Sequence, residues 1–177
     1  PYSFNGNLIN PIELFLTNFG NEALITICLL LAIGKAIEIN RSLEPLVGFL
    51  SKSWVNHPKL SLLGVLLFGA FFSAFINNTP IVVMLIPALI AVSENAKISS
   101  SRVLMPMGMA TIIGGMATTI GTSTNLLVVG IANDMGLETI QLFDFVLPAL
   151  IAGFFGILFL WLIAPNMLPD RNPRSEK

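Results

Sequence analysis

Charge is what this sequence lacks most. Of its 177 residues only 11% are Asp, Glu, Lys or Arg, against 54% hydrophobic. A soluble domain carries about a quarter charged residues, so the mean hydropathy of +0.82 belongs to an integral membrane protein. The scarcity is also local. No charged residue stands from Leu60 to Ser93, or from Val103 to Asn133. A proton-driven pump would be expected to place a carboxylate or histidine inside the membrane. The single histidine, His57, falls instead in the linker NHPK, where it reads as exposed. One cysteine excludes an internal disulfide, and the apolar neighbours of Cys28 suggest a buried small hydrophobe. A net charge of −1 without a basic stripe points to no nucleic-acid partner. The chain opens on Pro1 with no signal-peptide pattern, and it reads as a piece of a longer one.

What is present is a series of apolar runs, which makes the fold class all-α and membrane-integral. Residues 1–18 read as a loop or short surface helix, and residues 19–164 as one membrane transport repeat. Residues 21–39 are long enough to span, since about 20 residues cross a bilayer; Lys35 and Glu38 near the end stand three apart and can pair. Residues 42–56 are amphipathic and carry Trp54, which suits an interfacial helix. Residues 60–93 form two apolar arms, 60–76 and 81–93, around Asn77-Asn78-Thr79-Pro80. The second arm looks short for a span, so a re-entrant helical hairpin is expected. Residues 101–133 read as a discontinuous helix broken around 121–125, residues 142–164 as a last span, and residues 165–177 as a cytoplasmic tail. If the hairpin returns to its own side, Arg41, Lys52, Lys59, Lys97, Arg102, Arg171, Arg174 and Lys177 share one face, which should be cytoplasmic.

Both polar interruptions have the same chemistry. At Asn77–Pro80 one arm ends and another begins, with Pro80 suited to a first helical turn. At Gly121-Thr122-Ser123-Thr124-Asn125 a glycine is followed by hydroxyls and an amide. Each break frees carbonyls on one side and amides on the other. Carbonyl ends suit cations and amide ends suit anions. Paired discontinuous helices of this kind mark substrate and ion sites in secondary transporters. With no charge at either break, a cation would be held by neutral oxygens, which suits Na⁺ better than H⁺.

Between the breaks the sequence repeats itself: GMATIIG at 108–114 and GMATTIG at 115–121. Seven residues are close to two helical turns, so Gly108, Thr111, Gly115 and Thr118 form a stripe of small residues. Such a stripe allows close helix packing, here enough to bring the hairpin tip beside the second break. Met105, Met107 and Met109 alternate in steps of two, which on a helix opposes their side chains and argues against a thioether metal site.

At these residues the sequence resembles the N-terminal half of a divalent anion:sodium symporter of the bacterial permease type, within the ion transporter superfamily. The stretches SAFINNTPIVVMLIP and SSSRVLMPMGMATIIGGMATTIGTSTNLLV carry the likeness, and flanks from NLINPIELF to LPDR extend it over nearly the whole chain. The family's hairpin tip is usually Ser-Asn-Thr; Asn78 and Thr79 match it, and Asn77 departs at the first position. Ser73 holds the place of the family's sodium-site serine, and Gly121, Thr122 and Asn125 match the second break. The resemblance implies an anion held by Asn78, Thr79, Thr122 and Asn125. It implies Na⁺ held by Ser73, Asn77, Gly121 and nearby carbonyls, with no other metal and no cofactor. It further implies an inverted repeat whose second copy is absent from these residues, elevator-type alternating access, a homodimer and a bacterial inner membrane. The expected function is Na⁺-coupled symport of a dicarboxylate or sulfate. A related exporter or cation/proton antiporter on the same scaffold, or a non-transporting membrane subunit, stands as the alternative.

Overall fold

The computed structural model describes residues 22–40, 57–137 and 139–170, together with residues 3–4, 7–8, 12, 19–20 and 54. Apart from a minimal antiparallel pair, β1 (Ser3–Phe4) and β2 (Asn7–Leu8), the described elements are helical. They run α1 (Glu22–Ile39), α2 (Pro58–Ser73), α3 (Asn78–Ala96), α4 (Ser101–Gly115), α5 (Ser123–Asp134), α6 (Val146–Leu162) and the short α7 (Ala164–Met167). Of the segment 42–56 only Trp54 is described, and residues 171–177 lie outside the described part.

Helix α4 is the hub, packing against α2, α3, α6 and α7. Its sequence explains why. Val103, Pro106, Met107, Ala110, Thr111 and Gly114 recur at three- and four-residue steps and are buried, which is the stripe of a core-facing helix. Met105 and Met109, two residues either side of the fully buried Met107, are exposed. On α2 the matching stripe is Leu62, Val65, Leu66 and Gly69, and on α3 it is Ile81, Leu85, Leu89 and Val92. Ile157 and Leu160 of α6 complete the core. Helix α1 packs on α3 and α5.

The structure departs from the sequence reading in four places. The second arm of the hairpin is longer than 81–93. It runs for 19 residues, about 28 Å at 1.5 Å per residue, and among the described residues α3 is the one helix long and apolar enough to cross a membrane. The extension has two causes. Asn77 caps the helix, its side-chain oxygen accepting from the Thr79 N–H at 3.4 Å, so Asn78, Thr79 and Pro80 enter the first turn, where the missing proline N–H goes unmissed. At the far end the Lys97 N–H reaches the Glu94 carbonyl at 3.2 Å and the Ile98 N–H reaches Ser93 at 2.9 Å, a Schellman closure.

The second departure is the break in the discontinuous helix, which begins at Met116 rather than at Gly121. Third, Trp54 is only 2% exposed and belongs to the core cluster, not to an interface. Fourth, Cys28 is exposed. Helix α1 is apolar on all sides yet covered on few, so apolarity alone did not bury its cysteine. Two smaller expectations hold: His57 is exposed at the start of α2, and Lys35 pairs with Glu38 at 2.7 Å.

One end of the bundle is tied together by polar contacts. The Trp161 indole N–H donates to the Lys59 carbonyl at 2.7 Å. Arg102 holds Asp170 through two nitrogens, at 2.9 and 3.1 Å, and the Ser101 hydroxyl donates to the Pro169 carbonyl. These contacts place the starts of α2 and α4 beside the chain after α6. The short 97–100 linker brings the end of α3 there too. Lys59, Lys97 and Arg102 therefore share that end.

Lys97 closes its helix in the left-handed region, at φ 55°, where a Cβ is penalised. Lys97→Gly should raise stability by about 1 kcal/mol, since the relieved strain exceeds the added chain entropy. A thermal melt in detergent checks this, and a lower melting temperature for the glycine variant would show that the lysine side chain contributes more than the strain it carries.

Candidate functional site

The two polar breaks meet. Helix α2 ends at Ser73, and the chain turns through residues 74–77 into α3; α4 ends at Gly115, and the chain turns through residues 116–122 into α5. Four helix ends therefore come together: the carbonyl ends of α2 and α4, and the amide ends of α3 and α5. Partial negative and partial positive charge lie side by side without any ionised group.

Side chains and glycines fix the arrangement. Ser73 is fully buried, and its hydroxyl donates to the Asn78 side-chain oxygen. Thr118 is buried within the second break; its hydroxyl donates to the Ala74 carbonyl and accepts the Gly121 N–H at 3.0 Å. The Thr118 carbonyl takes the Asn125 side-chain amide at 2.9 Å. Backbone pinning continues where the Thr119 N–H donates to the Leu142 carbonyl at 3.2 Å on the approach to α6.

Gly115 faces the tip: a Cβ there would stand 2.8 Å from the Asn78 oxygen and 3.2 Å from the Gly121 carbonyl. A Cβ on Gly121 would stand 2.6 Å from the Gly115 carbonyl and 3.0 Å from that of Ala74. The result is a compact group of neutral oxygens contributed by Ala74, Gly115, Gly121, Asn78 and Ser73, with the Thr118 hydroxyl spent on holding it together. Oxygen ligands without thiol or imidazole suit a hard cation.

Of the residues singled out from sequence, Ser73, Asn78, Gly115, Thr118 and Gly121 are brought together. Asn77 lies at the tip, but its oxygen caps α3. Thr79 is exposed and, with Asn78, lines a groove of about 410 Å³ between α3 and α4 whose other walls include Val82, Leu104, Gly108 and Thr111. Thr122 caps α5 without a side-chain bond. Neither it nor Asn125 lines that groove.

Gly108 has no atom within 4 Å of a Cβ position, so the close approaches fall elsewhere. They are at Gly69 against Thr111, at Gly115 against Asn78, and above all at Gly114 against the Ala70 backbone.

Sequence reasoning expected nearby carbonyls without naming those of Ala74 and Gly115, and it gave Thr118 only a packing role. The duplication held the one available sign. Thr111 and Thr118 are equivalent in it, yet Thr111 bonds back to the Gly108 carbonyl at 2.7 Å within its own helix, while Thr118 reaches a carbonyl 44 residues away.

Comparison with known proteins bears on the family. Residues 5–176 match the family model described as citrate transporter. An uncharacterized transporter of Synechocystis is 32% identical over 96% of this chain and 28% of its own length. Sodium/sulfate cotransporter 2 of Chlamydomonas reinhardtii is 30% identical over 99% of this chain and 20% of its own. An uncharacterized transporter of Escherichia coli K12 is 28% identical over 99% of this chain and 28% of its own. The chain thus spans less than a third of the length of these curated relatives. No solved structure matches it. Matched over nearly all of its residues, the chain belongs to the citrate transporter family.

Proposed function

We propose that this chain is the N-terminal transport repeat of a Na⁺-coupled symporter for a small divalent anion. One observation carries the reading: four uncharged helix ends meet, the carbonyl ends of α2 and α4 beside the amide ends of α3 and α5. Two relatives named as sodium/sulfate cotransporters support Na⁺ as the coupling ion and sulfate as one candidate anion, while the family's description as citrate transporter supports a carboxylate. Na⁺ is bound by Ser73, Asn78 and Gly121 with the carbonyls of Ala74 and Gly115; Asn77 helps by shaping the tip. The anion is bound by Thr79, Thr122, Asn125 and the Asn78 amide, with the α3 and α5 amide ends supplying positive potential.

A midplane site in an inverted-repeat carrier takes hairpins and unwound segments from both repeats, so a second repeat completes it. The working unit is a homodimer in the cell membrane, with Lys59, Lys97 and Arg102 at the cytoplasmic face.

The test is uptake of labelled sulfate, and of succinate in parallel, by the full-length carrier in proteoliposomes with an inward Na⁺ gradient. Uptake that is the same when choline replaces Na⁺ would sink the coupling. Within that assay Ser73→Ala removes one oxygen from a multi-ligand site. Its half-saturation for Na⁺ should rise roughly tenfold, the scale of 1–2 kcal/mol for a lost buried oxygen. An unchanged Na⁺ dependence in a well-folded variant removes Ser73 from the site.

A further inference from the structure

Thr118 touches both halves of the site. Its side chain is 1% exposed, and it stands in the break rather than on a helix. A threonine hydroxyl has one proton and two acceptor positions. Here the proton goes to the Ala74 carbonyl at the end of α2, and a lone pair takes the Gly121 N–H at 3.0 Å. The same residue's carbonyl takes the Asn125 amide at 2.9 Å. One residue therefore holds a tip carbonyl, the backbone at Gly121 and a side chain in the first turn of α5.

Resting on the symport reading above, we propose that Thr118 is the positioning residue that makes cation and anion binding interdependent. It is not itself an anion ligand. Two of its bonds end on Ala74 and Gly121, in the oxygen group. The third ends on Asn125, in the anion group. A cation drawing the Ala74 and Gly121 carbonyls inward shifts the Ala74 oxygen and, through the Gly121 backbone, the Gly121 N–H, which are the two ends of the Thr118 hydroxyl bridge, and the Thr118 backbone carries Asn125 with it. Without the cation that pull is absent, and Asn125 is not drawn toward the anion. Such coupling is reciprocal: Na⁺ tightens the anion by the factor with which the anion tightens Na⁺.

The hydroxyl is what the bridge needs, and two other hydroxyls of the site region are committed elsewhere. Thr111, the equivalent residue in the duplication, spends its hydroxyl inside α4. Ser73 is committed to Asn78. Simple packing would require only the size of the threonine, whereas coupling requires its proton and lone pair.

The experiment measures binding of sulfate and of succinate to the purified full-length carrier, each with Na⁺ and with choline in its place. The ratio of the two affinities is the coupling factor. In Thr118→Val, which keeps the shape and loses the hydroxyl, this factor should fall at least about fivefold towards one, since couplings of this kind run roughly 5–150-fold. Anion affinity without Na⁺ should stay within about twofold in the same variant, because Thr118 is not an anion ligand. Thr118→Ser keeps the hydroxyl and should retain the wild-type factor. If Thr118→Val does not reach the membrane, Thr118→Cys, a weaker donor and acceptor of similar size, should give an intermediate factor. Wild-type coupling in the valine or cysteine variant overturns the role of Thr118 and leaves the symport reading standing. A wild-type carrier that binds both anions equally with Na⁺ and choline overturns that reading, and the proposal with it.

Discussion

Gly114→Ala is expected to be the most damaging single-methyl change in this chain. The added Cβ would overlap the Ala70 carbonyl oxygen and stand 2.5 Å from both the Ala70 Cα and its carbonyl carbon. The obstacle is backbone inside a helix, so no rotamer change relieves it. Helices α2 and α4 must separate, and theirs is the most extensive helix pairing in the structure. Separation loosens Leu62, Val65 and Leu66 from Val103, Met107 and Ala110. Overpacking a core typically costs about 1–3 kcal/mol when side chains can shift, and here they cannot, so a cost at or above the upper figure is expected.

Gly108→Ala is the control, six residues earlier on the same helix. Nothing lies within 4 Å of its new methyl, and a helix-interior alanine gains roughly 0.5–1 kcal/mol over glycine. The full-length carrier should therefore melt much lower, or fail to accumulate, with Gly114→Ala, and melt at or above wild type with Gly108→Ala. Equal melting of the two variants would show that α2 and α4 do not approach this closely.

Gly121→Ala should shift Na⁺ dependence to much higher Na⁺ concentrations while leaving most of the fold. Gly121 does not have a positive φ, so an alanine is conformationally acceptable and the effect is one of space. The methyl would stand 2.6 Å from the Gly115 carbonyl oxygen and 3.0 Å from that of Ala74, among the oxygens proposed to hold the cation. Both carbonyls must turn or move aside. Losing their alignment should weaken Na⁺ binding by roughly 10- to 100-fold, the equivalent of about 1.4–2.8 kcal/mol. Sulfate uptake at saturating Na⁺ should be partly recovered. The checks are Na⁺ titration of uptake and a thermal melt on the same preparation. A normal Na⁺ titration would exclude the carbonyls of Ala74 and Gly115 as ligands. A collapsed melting temperature would make Gly121 a folding position first.

How far the sequence could be read varied with the kind of signal. Membrane class came from the dearth of charge and the length of apolar runs, because both are properties of the chain in any conformation. Both breaks were legible in outline, because proline, asparagine and glycine act locally on the backbone. The capping of α3 by Asn77 is such a local effect, although the turn it added to the helix was not anticipated. Cys28 and Trp54 exchanged expectations, the first exposed and the second buried, because burial depends on what packs against a residue and not on its own polarity.

By itself, the sequence determined that this protein is a set of apolar helices with two uncharged polar breaks, since hydropathy, helix-breaking residues and charge need no partner to act. It also determined the family, through motifs whose residues are near neighbours in the chain. Only the tertiary structure decided where the second break begins and what the break does. Residues 115–121 repeat residues 108–114 with a single change, Ile112 to Thr119, and the first copy is helical throughout. The second copy leaves the helix after Gly115. Its threonine finds the free Ala74 carbonyl beside it, and Gly114 lets α2 come close enough to present that carbonyl. A contact spanning 44 residues leaves no periodicity to read, and two nearly identical heptads take different structures because only one of them lies against the open end of another helix.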